Sequence, residues 1–150
     1  MHRVFLSIGS NIGDKEKNCY LAVEKLREKG LIINKISPLY ITEPWGYKKQ
    51  PDFANIVIEV FTTFQPLELL YLVKSIEKQM GRKDTFKYGP RIIDIDIIFF
   101  DDIVYESPEL KIPHPKMQER YFVLRPLCDI DPEFVHPLIK KTVKELLEKL

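Results

Sequence analysis

The sequence predicts an α+β fold: a ferredoxin-like split βαβ core, with two helices on one face of an antiparallel sheet, a short hairpin and C-terminal helices. Three observations predict it. Short runs rich in β-branched residues and two stripes of helical period follow one another as strand, helix, strand, strand, helix, strand. Turn formers such as Gly9-Ser10-Asn11-Ile12-Gly13-Asp14, Gly30 and Gly81 punctuate them. The chain has 150 residues, 45% of them hydrophobic, enough for the core of one domain spanning residues 1–150.

The first strand is residues 4–8, Val-Phe-Leu-Ser-Ile, stopped by the turn formers that start at Gly9. A helix follows, with Cys19, Ala22, Val23 and Leu26 at i, i+3, i+4 and i+7, Asp14 as cap and Gly30 as stop. Residues 31–41 read as strand with a break at Pro38, and residues 43–52, with two prolines and a glycine, as a long loop. Residues 53–62 alternate as a third strand. Pro66 opens a helix whose stripe is Leu69, Leu72, Val73, Ile76 and Met80, ending at Gly81. A second irregular segment covers residues 82–90. Residues 92–100 form the clearest strand, and the Asp101-Asp102 turn predicts a short return strand at 103–105. Helical pieces are expected at 118–128 and at the C-terminus, through Val143, Leu146, Leu147 and Leu150. In this plan the sheet face away from the helices is free, and two long loops border it.

The 23 basic and 22 acidic side chains leave a formal charge of +1. That excludes a global field for nucleic acid or an anionic membrane, so any phosphate site is local. Cys19 and Cys128 lack the spacing of a zinc or disulfide framework and read as buried thiols. Residues 1–3 run straight into the first strand, too short for a secretory segment, and no apolar run reaches membrane length, which predicts a cytoplasmic protein.

The chemistry concentrates in Arg91-Ile92-Ile93-Asp94-Ile95-Asp96-Ile97-Ile98. Asp94 and Asp96 at i and i+2 point to one face, their backbones about 6.7 Å apart, while Ile93, Ile95 and Ile97 face the core. Carboxylates ~6 Å apart repel by roughly 3 kcal/mol at an effective dielectric of 20, so a cation must compensate. Arg91 or a nearby lysine would do so structurally. Magnesium would do so functionally, since it keeps several waters and takes further oxygens from substrate phosphates. Arg82, Lys83, Lys87 and Arg91, then Lys111, His114, Lys116, Arg120 and Arg125, supply positive charge for phosphates or for a solvated loop. No Walker loop is present, because Gly9-Ser10-Asn11-Ile12-Gly13 lacks the lysine and the spacing. Trp45, Tyr47, Phe53, Tyr121 and Phe122 are the aromatics near these segments, and Phe53 with Asn55 offers a stacking face beside a bidentate amide.

Taken in order, Gly9-Ser10-Asn11, Thr42, Trp45-Gly46, Gln50-Pro51-Asp52-Phe53-x-Asn55, Gly89-Pro90-Arg91-x-x-Asp94-x-Asp96 and Pro113-His114 closely resemble the 6-hydroxymethyl-7,8-dihydropterin pyrophosphokinase family over nearly the whole chain. The resemblance implies pyrophosphoryl transfer from ATP to the pterin alcohol in folate biosynthesis, with two magnesium ions on Asp94 and Asp96. It implies pterin contacts from Thr42, Trp45, Phe53, Asn55 and Phe122, and catalytic contacts from Arg82, Arg91, Asp94 and Asp96. Around ATP it implies Lys74, Glu77, Arg82, Tyr88, Arg91, Ile97, Lys111, His114 and Arg120. It implies a monomer whose partners are ATP and the pterin, without nucleic acid or membrane. The chain departs from some relatives at Glu43, at Lys74 and in residues 83–87, which include Asp84. Two other classes share parts of the pattern: nucleotidyltransferases, whose Gly-Ser and Asp-x-Asp elements stand much closer than the roughly eighty residues here, and RNA-binding modules on the same sheet topology, whose basic-aromatic signature is missing.

Overall fold

The computed structural model describes residues 1–83 and 85–150; Asp84 lies outside the described residues. Its core elements are β1 (His2–Ser10), α1 (Lys15–Glu28), β2 (Ile32–Ile36), β3 (Tyr40–Thr42), β4 (Phe53–Thr62), α2 (Pro66–Gln79) and β5 (Asp94–Phe100). A small hairpin, β6 (Tyr105–Glu106) and β7 (Lys111–Ile112), leads through a single 3-10 turn, Met117–Glu119, to α3 (Tyr121–Ile130) and α4 (Val143–Glu148). The main sheet runs β2-β4-β1-β5, with β3 also on β4, and every pairing is antiparallel. This is the predicted split βαβ order.

The helix stripes work as their periods predict. Asp14 accepts the Lys17 N–H at 3.3 Å to cap α1, which buries Cys19, Ala22, Val23 and Leu26. Helix α2 buries Leu69, Leu70, Val73 and Ile76, so Leu70 takes the central place predicted for Leu72, which packs at the margin with Met80. Both helices cover one sheet face, against Val4, Leu6 and Ile8 from β1, Ile56, Ile58 and Val60 from β4, and Ile93, Ile95 and Ile97. The break at Pro38 is real: Ser37 replaces a ladder partner by accepting the Val57 N–H on its Oγ at 2.9 Å.

The opposite face departs from expectation, because half of it is covered. Phe5, Val57, Ile98 and Phe99 form a second core with Met117, Val123, Leu124 and Leu127, and with Val143 and Leu146 of α4. A bulge opposite Phe5 and Leu6 inserts Ile98, which turns both Ile98 and Phe99 onto this face. Arg3 ties the C-terminal segment down, giving 2.7 and 2.8 Å bonds to Glu59 and Asp131 while its guanidinium lies 4.7 Å from the Phe5 ring centroid. Among the described residues, the free part of the face is then the end of the sheet where Ser7, Gly9, Asn55, Asp94 and Asp96 emerge.

Several boundaries shift. Strand β1 continues through Gly9 and Ser10, which the sequence places in a turn, and β5 starts only at Asp94. The return strand is Tyr105–Glu106 and pairs with β7, not with β5. Leu150 is 56% exposed, outside α4, and Cys128 is only partly buried. Among the described residues, no helix is long and apolar enough to cross a membrane.

Candidate functional site

Register builds the floor of the site. Across the open face, Gly9 pairs with Asn55 on one side and Asp94 on the other; one step along, Ser7 pairs with Val57 and Asp96. Neighbouring strands are about 4.8 Å apart, so Gly9 leaves a bare strip between an amide and a carboxylate. A Cβ at Gly9 would stand 3.0 Å from Asn55 Oδ1. Asn55 Nδ2 donates to Thr42 Oγ1 at 2.6 Å, which fixes the amide and turns its oxygen over the strip.

Two cavities meet at the carboxylates. The first, about 220 Å³, has Thr42, Trp45, Phe53, Asn55 and Phe122 at its apolar end, and Tyr88, Arg91 and Arg120 on its rim. The second, about 340 Å³, runs between α2 and the β6–β7 hairpin, lined by Lys74, Glu77, Ile97 and Lys111. Arg82, Asp94, Asp96 and His114 line both. Every residue that the family resemblance implies for pterin, nucleotide or metal therefore borders one cavity or the other.

The acids sit in a compensated field. Arg82 Nη1 donates to Glu77 at 2.6 Å and to Asp94 at 3.0 Å, and Glu77 also accepts the Ile95 N–H at 2.8 Å. The cation expected from Arg91 or a lysine is thus Arg82. Burial first, and the Asp96 charge second, raise Asp94 to about 6, although 38% of its side chain is open to the cleft. Asp96 is also raised, mainly by burial, and among the described residues it has no ion pair or hydrogen bond. Glu77 is pushed up by burial against the pull of the Ile95 N–H and Arg82.

Arg91 points elsewhere. It precedes β5, and its Nη1 donates to Thr85 Oγ1 at 2.6 Å and to the Pro90 and Gly89 carbonyls, so the guanidinium folds against its own loop. Arg120 lies 4.7 Å from the Trp45 ring centroid and 5.5 Å from that of Phe122, and its buried Nε has no partner among the described residues. Such an orphaned donor suits an anionic or acceptor-rich ligand. His114 accepts the Lys116 N–H on Nδ1 at 3.2 Å, so its own proton sits on Nε2; burial and Arg120 lower its pKa to about 4.

The two long loops interlock over the first cavity. Asn11 donates to Gln50 Oε1 and the Pro51 carbonyl, and accepts the Arg91 N–H; Gln50 in turn donates to the Tyr47 and Tyr88 carbonyls at 2.8 and 2.6 Å. Trp45 meets Tyr88 edge-on at 5.0 Å, and Gly46, at φ +87°, leaves the space that a Cβ would take 2.7 Å from the Tyr88 ring.

Part of the predicted basic cluster lies off the site. Lys83, Lys87, Lys116 and Arg125 line neither cavity, and Arg125 instead pairs with Asp129 at 2.9 Å. The sequence missed Ser7 and Gly9 on the floor, together with Leu70 and the hairpin residues Ser107 and Leu110 in the second cavity. Their available signal was the two-residue period of β1, which puts Ser7 and Gly9 on the face of Phe5.

A family model described as 7,8-dihydro-6-hydroxymethylpterin-pyrophosphokinase (HPPK) matches residues 5–132. The 2-amino-4-hydroxy-6-hydroxymethyldihydropteridine pyrophosphokinase of Aquifex aeolicus is 44% identical over 145 residues, covering 97% of this chain and 90% of that one. The folic acid synthesis protein fol1 of Schizosaccharomyces pombe is 48% identical over 147 residues, but the chain spans only 20% of its length. Among solved structures, Plasmodium falciparum HPPK-DHPS superposes with a TM-score of 0.80 at 20% identity, over 99% of this chain and 45% of that one, a likeness of fold.

Proposed function

Because the chain belongs to the 7,8-dihydro-6-hydroxymethylpterin-pyrophosphokinase family, we propose that it transfers pyrophosphate from ATP to 6-hydroxymethyl-7,8-dihydropterin in folate synthesis, releasing AMP. The observation that carries this reading is the pair Asp94 and Asp96 at the junction of an aromatic cavity and an elongated polar one. A flat heterocycle fits the first: Phe53 and Phe122 offer faces, Thr42 and Trp45 close the sides, and Asn55 presents its oxygen to ring N–H groups. ATP fits the second, with Lys74, Ile97 and Lys111 along its length and His114 Nε2–H at the phosphates, which Arg120 would meet from the first cavity.

The donor set fits magnesium. No group of three or more His, Cys, Asp or Glu side chains capable of holding a metal occurs among the described residues. Two hard carboxylates suit an ion that keeps its waters and borrows phosphate oxygens, and we assign Asp94 and Asp96 to two such ions. Bound there, magnesium would offset charge on the triphosphate.

The pterin hydroxyl attacks the β-phosphorus in line; the new Pβ–O bond forms as the bond to the α-phosphate oxygen breaks, and AMP departs. Asp96, whose side chain has no partner among the described residues, is the carboxylate placed to take the hydroxyl proton. Arg82 turns from Asp94 toward the phosphates, and Arg91 leaves its loop carbonyls to join it. Glu77 keeps Arg82 in place from beneath, and closure of the interlocked loops, Tyr88 included, excludes water. The domain spans residues 1–150 and acts as a cytoplasmic monomer on these two small molecules.

The test is direct: incubate protein, ATP, magnesium and hydroxymethyl dihydropterin, and follow phosphorus products. AMP equal to the pterin diphosphate supports the proposal; pyrophosphate release would instead mark a nucleotidyltransferase.

A further inference from the structure

Ser7 is a polar floor residue to which the reaction above gives no task. It sits inside β1, 5% exposed, between the apolar Leu6 and Ile8. Its hydroxyl lines the aromatic cavity and has no hydrogen-bond partner among the described residues. That hydroxyl opens onto the cavity, where it is free to bond a ligand.

Register fixes where that ligand atom lies. Ser7 is one strand from Asp96, about 4.8 Å, and two residues along from Gly9, about 6.7 Å. If Asn55 holds the amide edge of a pterin, the ring lies over Gly9 and its far end, which carries the hydroxymethyl group, extends toward β5. The first polar atoms it meets there belong to Ser7 and Asp96. A serine hydroxyl both accepts and donates, and Asp96 accepts only.

Resting on the pyrophosphokinase reading, we infer that Ser7 is a substrate-contacting residue that orients the attacking hydroxyl. Its hydroxyl donates a hydrogen bond to the oxygen of the substrate hydroxyl, whose own proton then faces Asp96. A lone pair of the substrate oxygen is then left facing the second cavity. No bond to Ser7 is made or broken; its contribution is orientation at the atom that reacts.

Ser7→Ala removes a hydroxyl that has no partner among the described residues, so the variant folds, with an unchanged melting temperature as the control. Its kcat falls about tenfold, the loss expected from one ordinary hydrogen bond, while KM for ATP stays within about twofold. A second readout is independent of turnover: with magnesium and a non-hydrolysable α,β-methylene ATP, the wild type binds 6-hydroxymethylpterin more tightly than 6-methylpterin, and Ser7→Ala binds the two alike. Wild-type turnover in the variant, or a preference for the hydroxyl compound that survives the substitution, overturns the inference. If the wild type releases no AMP, the proposed function fails, and the binding comparison still decides the contact.

Discussion

Replacing Asp96 by asparagine makes the protein more stable and inactive at once. The surroundings of Asp96 oppose its charge, since burial outweighs the attraction of Arg120, Arg82 and Lys74 and raises its carboxyl pKa. At ~6 Å and an effective dielectric of 20, the Asp94 charge alone contributes roughly 3 kcal/mol of repulsion. Arg82 on Asp94 and the open cleft reduce this to about 1–2 kcal/mol. For a chain of this size, that raises the melting temperature by about 4 °C. The assay is thermal unfolding in chelator and again with magnesium and ATP, beside AMP release. Asp96→Asn melts higher in chelator, gains little from magnesium and ATP, and does not turn over. A variant that melts several degrees lower in chelator, or keeps wild-type turnover, would show that the carboxylate serves the fold and refute the reasoning.

Phe53→Ala weakens pterin binding about tenfold and ATP binding less than twofold, by titration calorimetry, and equal losses would contradict the stacking role. Arg82→Ala leaves Glu77, whose side chain is 8% exposed, without its cation; denaturant unfolding then shows a loss of about 3 kcal/mol, and an unchanged midpoint would deny the structural part of that pair. Acid weakens the fold through His114 and His136. Burial holds His114 near 4 and lowers His136, whose Nδ1 accepts two backbone N–H groups, at 3.1 and 3.0 Å. Between pH 6.5 and about 4 the unfolded chain therefore binds protons that the native chain refuses, and stability falls as pH falls, by at most about 3 kcal/mol for His114. Asp94, raised to about 6, opposes part of this below pH 6 because the native state takes its proton more readily. His114→Asn flattens the pH dependence of the urea midpoint; an identical slope would contradict its share.

The site was legible where side-chain chemistry and period coincide. Asp94 and Asp96 alternate with Ile93, Ile95 and Ile97, so β5 declares both its faces, and the Phe53-x-Asn55 pair declares the facing strand. The second face was read as free because helices that cover it come last in the chain and are short. Yet β1, β4 and β5 carry consecutive apolar residues, Val4-Phe5-Leu6, Ile56-Val57-Ile58 and Ile97-Ile98-Phe99, and a strand apolar on both sides is covered on both. The exchange of Arg82 for Arg91 as partner of Asp94 was not legible, because it depends on how the loop after α2 returns beneath β5. Ser7 and Gly9 were not assigned to the site for a different reason: Ser7 reads as one polar residue within a strand and Gly9 as the turn that stops it, and only the register with Asn55, Asp94 and Asp96 makes them a floor.

We propose that two acidic side chains, Asp94 and Asp96, hold a cation between an alcohol and a triphosphate. A crystal of the protein with magnesium, α,β-methylene ATP and 6-hydroxymethylpterin tests it most directly. The expected result is the pterin over Gly9 against Phe53 and Asn55, the phosphates between the cavities, and metal density between them and Asp94 and Asp96. Nucleotide bound elsewhere, with Arg82 still paired to Asp94 and no metal at either carboxylate, would contradict it.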